Sequence, residues 1–338
     1  FEFIDTRHEQ GAVHMANAWG RITGTPGVCL FTTPGHVNAI AGLALAQHMN
    51  SPLINIVGCA DQNRLGQGAM QEIDQLGLAK PVTKGAWLVN DAHRIPEYMA
   101  KAFRTALTGR RGPVHLTIPL DVQEAKVEED DVEFYHPLNS RPNGLLRSDP
   151  LSIKTAVELL NSAKQPLILA SGGAYTTSRE SLDRLLNITR IPIFTEDAAR
   201  GIIPDDHPYC AGYADPKVNE AASLISQADT VLLLGKKLDF TISFGGPPTF
   251  KKDVKIIQVE YSSDLIGLSR AVDVPVMGDV GAVVDQISSE AENLSWKEHP
   301  MIKDIKTARE SQHDELEEFS QESSLNAMSV HKRLRPIL

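Results

Sequence analysis

Cysteine is scarce in this 338-residue chain, long apolar runs are missing, and positive charge is in deficit. Each shortage excludes something. Cys29, Cys59 and Cys210 are widely spaced and lie beside apolar residues, which points to buried, reduced thiols of a cytoplasmic protein rather than a disulfide frame or a metal site. Apolar stretches such as residues 231–234 are long enough for a core strand and far too short for a bilayer, so no membrane partner is expected. Lys and Arg total 33 against 43 Asp and Glu, a formal charge of −10, which argues against a nucleic-acid surface. No internal repeat, low-complexity tract or signal peptide is visible, and with Phe first both ends read as cuts.

What the chain does contain is an alternation of short apolar runs with helical spacing. Strands are expected at 1–6, 27–32, 53–57 and 114–118, with helices at 12–21, 38–47 and 92–108. An acidic, Pro- and Gly-broken stretch at 123–147 reads as an exposed linker. The alternation resumes with a helix at 152–162 and strands at 166–170, 192–195, 230–234, 254–259 and 274–277. Residues 295–320 are polar and read as a solvated helix. The expected fold is α/β: two three-layer domains with mainly parallel sheets, at 1–122 and 150–290, joined by a linker at 123–149 and followed by a linker helix within 291–338.

Taken singly, the motifs decide little. In Arg7-His8-Glu9-Gln10-Gly11 the next histidine is His14, six residues after His8 and on roughly the opposite face of a helix, so a zinc reading fails and no metal ligand is expected. On spacing alone Glu9 reads as a carboxylate favouring a helix N-terminus. Gly66-Gln67-Gly68-Ala69-Met70-Gln71 half-matches a dinucleotide fingerprint but lacks the third glycine, and a surface loop is the default. Thr33-Pro34-Gly35 is a turn between a strand and a helix, where open parallel sheets bind ligands and where ordinary turns also fall. Gly172-Gly173, Gly235-Lys236-Lys237, Glu260 and Gly278-Asp279 all sit at strand ends, which fits a nucleotide crevice and plain turn chemistry equally.

In sequence the segments are more specific. RHEQGAVHMANAWGRITGTPGV at 7–28 is followed by TPGHVN at 33–38, QGAMQE at 67–72, KPVTK at 80–84 and GRRGPVHLTIPLDVQ at 109–123. GIIPDDHP at 201–208, ADTVLLLGKKLDF at 228–240 and KIIQVE at 255–260 complete the order. Together they resemble the thiamine-diphosphate enzymes of the acetolactate synthase, benzaldehyde lyase and 2-hydroxyacyl-CoA lyase group. The resemblance implies that Glu9 is the catalytic carboxyl. It would meet the pyrimidine N1′ with its pKa raised by burial, so that ring and carboxyl share a proton and the thiazolium C2–H is acidified. By the same resemblance Pro34, Gly35 and Asn38 hold the pyrimidine side, and Gln71 and Lys84 stand near the substrate. A flavin (FAD) or ADP in the central domain would enlist Arg110, Gly173, Gly235, Lys236 and Glu260.

Some features depart from the pattern. Thr33-Pro34-Gly35 replaces the usual Gly-Pro-Gly and CAGYAD at 210–215 stands near the place of the synthases' Met-His-Gly, while LDFTISFGG at 238–246 and DVPVMGDVGAVV at 273–284 look closer to the lyase branch. A Gly-Asp-Gly followed by Asn-Asn, the family's Mg2+ and diphosphate anchor, is not found, and the chain is expected to be cut short before that domain and inactive alone. The implied activity is a lyase or carboligase acting on a small 2-oxo acid or 2-hydroxyacyl substrate, in a homodimer or homotetramer. The competing reading is a non-catalytic nucleotide-binding or interaction module derived from the same family.

Overall fold

The computed structural model describes residues 2–140, 144–320, 325–334, 336 and 337, with no side-chain detail at 137 and 138. The chain divides into two compact units, Phe1–Gly144 and Leu145–Leu338.

The first unit runs α1 (Glu9–Thr23), β1 (Gly27–Phe31), α2 (Thr33–His48), β2 (Leu53–Cys59), α3 (Gln75–Ala79), β3 (Ala86–Leu88), α4 (Ile95–Leu107), β4 (Pro113–Pro119), α5 (Leu120–Glu124) and α6 (Pro137–Ser140). Its sheet has the order β1-β2-β4-β3, and every ladder is parallel. Parallel neighbours need crossovers, and those crossovers cover both faces. Cys29 and Leu53 pack with Val13 of α1 and Ala39 and Leu43 of α2, while Ile54, Val114 and Leu116 pack with Ala102 and Ala106 of α4. Each fully buried Leu or Ile side chain contributes about 1.5–3 kcal/mol. α1 lies close on the sheet because residue 20 lacks a Cβ, which would stand 2.2 Å from the Pro52 carbonyl oxygen.

The second unit contains α7 (Pro150–Ser162), β5 (Pro166–Ala170), α8 (Arg179–Thr189), β6 (Ile193–Thr195), β7 (Cys210–Tyr213), β8 (Thr230–Leu234), β9 (Lys255–Glu260), β10 (Val274–Met277), α9 (Val280–Ala291), α10 (Met301–Ser320) and α11 (Ala327–Leu334). The sheet order is β10-β9-β8-β5-β6-β7, again parallel throughout. Alternate residues face opposite layers: Ile168, Leu232 and Ile257 pack under α7, α8 and α9, whereas Leu167, Leu233 and Ile256 face the other side. The chain reverses direction across the sheet between β5 and β8, the place where such sheets form a ligand crevice.

Four expectations need correction. Residues 2–6 form no strand, and Phe1 lies outside the described residues; a strand needs a neighbour to take its backbone bonds, and the first ladder begins at Gly27. Thr33-Pro34-Gly35 is not a loop but the opening turn of α2, where proline costs no helical bond. β3 and β7 are additional short strands. The helix within 295–320 is not simply solvated: Met301 and Ile305 of α10 are buried, and Arg309 donates to the backbone carbonyls of Cys210 and Asp205.

Candidate functional site

Glu9 is the first residue of α1. His8 caps the helix, its Nδ1 accepting the Gln10 N–H at 3.2 Å, which leaves the Glu9 side chain free to turn toward α2. There Asn38 Nδ2 donates to Glu9 Oε2 at 3.0 Å. Gly35 makes the approach possible, since a Cβ at that position would stand 2.7 Å from Glu9 Cγ and 2.9 Å from Oε1. Pro34 is exposed beside it. The structure therefore brings Glu9, Gly35 and Asn38 into contact, with Pro34 on the same turn. The expected raised pKa is not found: Glu9 is half-exposed, and the Asn38 amide, helped by its own backbone N–H, holds its carboxyl below the ordinary value.

The residues just before Pro34 reach another feature. Thr32 and Thr33 line a cavity of about 640 Å³ together with Gly58, Cys59, Asp61, Arg64 and the wall from Gln67 to Gln71. Gln71 thus stands at the cavity. The Cys59 thiol there is pushed up to about 11 by burial, with Asp121, Asp61 and Glu72 adding repulsion, and stays protonated. Lys84 is placed elsewhere. Its ammonium donates to the Thr105 and Thr108 carbonyls at 2.6 and 2.5 Å, closing the C-terminal end of α4, and burial pulls it down to about 8.

Beneath the cavity lies a polar cluster that sequence reasoning missed. Asn55 and His115 are register partners in β2 and β4, and Cys29 is Asn55's partner in β1, so the three form a row on the face covered by α2. All are buried, as is His36 of α2. Asn55 Nδ2 lies 3.2 Å from His36 Nδ1 and 3.0 Å from His115 Nδ1, and its Oδ1 accepts from the Cys29 thiol at 3.7 Å. An amide nitrogen has two protons, one for each ring, so both imidazoles carry their own proton on Nε2. His36 then donates to the Gln75 carbonyl at 3.2 Å, and His115 donates to Thr117 Oγ1 at 2.7 Å. Thr117 Oγ1 donates to Gln75 Oε1 at 2.9 Å, and Gln75 Nε2 donates to Thr33 Oγ1 and the Gly58 carbonyl at 3.1 and 3.0 Å. Every donor finds an acceptor, and the sense of the chain is fixed. The rings stack 4.4 Å apart, and burial lowers both, with His115 pushed down to about 3 by desolvation and by its neighbour His36.

In the second unit, Gly173 and Gly235 meet at the sheet's switch point, with the Gly173 N–H donating to the Gly235 carbonyl at 3.0 Å. A Cβ on Gly235 would stand 2.4 Å from the Gly173 backbone. Lys236 is 1% exposed, and its ammonium donates to both Asp239 carboxylate oxygens at 2.9 and 3.1 Å and to Thr241 at 2.5 Å, with the Glu196 carboxylate ion-paired at 2.7 Å. Burial alone would lift Asp239, but Thr241 and Lys236 outweigh it and leave its carboxyl low. Glu260 is fully buried at the end of β9. Arg110 belongs to the first unit, in the loop before β4. Lys236 does not suit a phosphate ligand, because it has no donor left to offer.

Among the described residues, no cluster of His, Cys, Asp or Glu suits a metal ion, and no helix is long and apolar enough to cross a membrane. Residues 1–78 match the thiamine pyrophosphate enzyme N-terminal TPP binding domain, and residues 153–287 match the thiamine pyrophosphate enzyme central domain. The chain belongs to the thiamine pyrophosphate enzyme family. It is 32% identical over 311 residues to human (Homo sapiens) 2-hydroxyacyl-CoA lyase 1, covering 91% of this chain and 52% of that one. It is 34% identical over 301 residues to a probable acetolactate synthase large subunit of Methanococcus aeolicus, covering 87% and 49%. To oxalyl-CoA decarboxylase of Escherichia coli (strain K12) it is 31% identical over 336 residues, covering 98% and 56%. The chain spans about half the length of these curated relatives.

Proposed function

We propose that this chain supplies the pyrimidine-binding side of a thiamine-diphosphate-dependent lyase or carboligase. The reaction makes or breaks a C–C bond next to the carbonyl of a 2-oxo acid or 2-hydroxyacyl compound. The observation that carries the reading is the carboxylate of Glu9 held over the glycine gap at residue 35 and steadied by Asn38. When bound, the cofactor supplies an acidic carbon that adds to the carbonyl and accepts the electron pair of the cleaved bond. Glu9 holds or releases a proton at the pyrimidine ring. Asn38 fixes one carboxylate oxygen and leaves the group low in this chain, so covering it from water by ring and partner surface is what raises it to a proton-sharing value.

Gln71 is the substrate residue of this reading, supported by its place in the cavity wall. Lys84 reaches substrate only by leaving the α4 carbonyls. Mg2+ and the diphosphate would be held by a further domain. A flavin or ADP in the central unit would lie against the Gly173–Gly235 backbone by close approach alone, since both N–H groups already bond the Gly235 and Val259 carbonyls, and without Lys236. Assembly into a homodimer or homotetramer is supported by the exposed α1 stripe Met15, Trp19 and Ile22, at one-turn spacing, with Val37 and Leu45 on α2. The free buried thiols Cys29 and Cys210 fit work in the cytoplasm.

The test is Glu9→Gln in the complete enzyme. Exchange of the thiazolium C2 proton with solvent deuterium, followed by NMR, is expected to slow by about a hundredfold or more; an unchanged rate sinks the assignment.

A further inference from the structure

The loop that half-resembled a dinucleotide fingerprint is occupied by the protein itself. Gly66 and Gly68 have positive φ of 83° and 77°, so successive backbone N–H groups converge as they do in anion-binding nests. The anion in this nest is Glu72. Its Oε1 accepts from the Gly66 N–H, its Oε2 accepts from the Ala69 N–H at 3.1 Å, and the Gly68 N–H adds to them. These donors, the Gly66 N–H first, lower the carboxyl from its ordinary value. No atom lies within 4 Å of a Cβ built on Gly66 or Gly68, so these glycines serve the backbone conformation and not close packing. Between nest and carboxylate, Gln71 is held at φ 58°, a left-handed conformation that a non-glycine residue keeps only when its surroundings impose it. Gln67 to Gln71 form one wall of the 640 Å³ cavity.

We propose that Glu72 is a positioning residue for substrate recognition: its carboxylate folds the 66–69 amides around itself and thereby holds Gln71 at the cavity. The inference rests on the reaction proposed above, because Gln71 touches substrate only within it. Glu72 itself does no chemistry. It contributes to substrate affinity through Gln71 and leaves the proton exchange at Glu9 alone.

The test is a double-mutant cycle in the complete enzyme, with kcat, KM for the acyl donor and C2 proton exchange measured for each variant. Glu72→Ala is expected to raise KM about tenfold while kcat and exchange stay within about twofold, and Gln71→Ala is expected to do the same. The double variant should be no worse than Gln71→Ala alone, within about twofold, because both changes remove one contact. Glu72→Gln keeps the shape without the charge and carries the cycle should Glu72→Ala fail to fold. Multiplied effects in the double variant, or an unchanged KM with folding intact, overturn the proposal. Failure of the reaction itself is told apart by the wild type, which would then show no thiamine-diphosphate-dependent proton exchange.

Discussion

Both units bury polar side chains in a parallel sheet, and they settle them in opposite ways. In the first unit the buried groups are neutral: Asn55, two uncharged imidazoles, Thr117 and Gln75 donate hydrogen bonds in one direction until they reach Thr33 and Gly58 at the cavity. In the second, Lys236, Glu196 and Asp239 are charged and close upon themselves. Burial of polar groups near strand ends therefore does not by itself mark a ligand site. Both clusters have used their donors and hold structure; the first differs in that it ends at Thr33 and Gly58, which line a cavity.

The comparison breaks most visibly at Lys236. Lys236→Met strands two acidic groups, one of them buried, and is expected to cost about 3–5 kcal/mol in denaturant unfolding. An unchanged midpoint would mean that the ammonium is available to a ligand after all, and the contrast between the units would fall. The next effect belongs to the first unit and to acid. Both imidazoles are held below their ordinary value, so the unfolded chain takes up protons that the folded chain refuses. Stability is complete above about pH 6.5 and drains as pH falls toward about 3, by about 2–3 kcal/mol at pH 4.5 from His115 alone. His115→Leu should flatten that slope, and a slope identical to the parent's would remove His115 from the account. The smallest stability change is expected at Gly35. Gly35→Ala should alter the melting free energy by less than about 1 kcal/mol, since Glu9 can swing aside. The same substitution should cut activity of the complete enzyme by about tenfold or more, and full activity would separate the glycine gap from the chemistry.

The sequence makes the frame legible and leaves the wiring hidden. Runs such as 166–170 and 230–234 read directly as strands because both their faces are buried and all their residues but Thr230 are apolar. Glu9 and Asn38, 29 positions apart, were paired only through resemblance. Asn55 looks like an isolated polar residue in an apolar strand and His115 shares its strand only with Thr117, and only the β2–β4 register sets Asn55 and His115 side by side. A polar residue at the same depth in two such strands was the available signal. Lys236 read as a strand-end cation because Glu196, the buried carboxylate it pairs with, lies forty positions earlier. β3 was missed because three residues carry too little periodicity to be seen.

The one-way sense of the Asn55 chain limits how this protein can change. Asn55 gives one N–H to each ring, so neither histidine can be replaced by a donor, nor Asn55 by a carboxylate, without leaving two like groups face to face. Single steps at positions 36, 55 and 115 are each expected to lower stability, and an apolar exchange of all three is expected to cost less than the sum of the single steps. Variation at these three places is expected to come as a set.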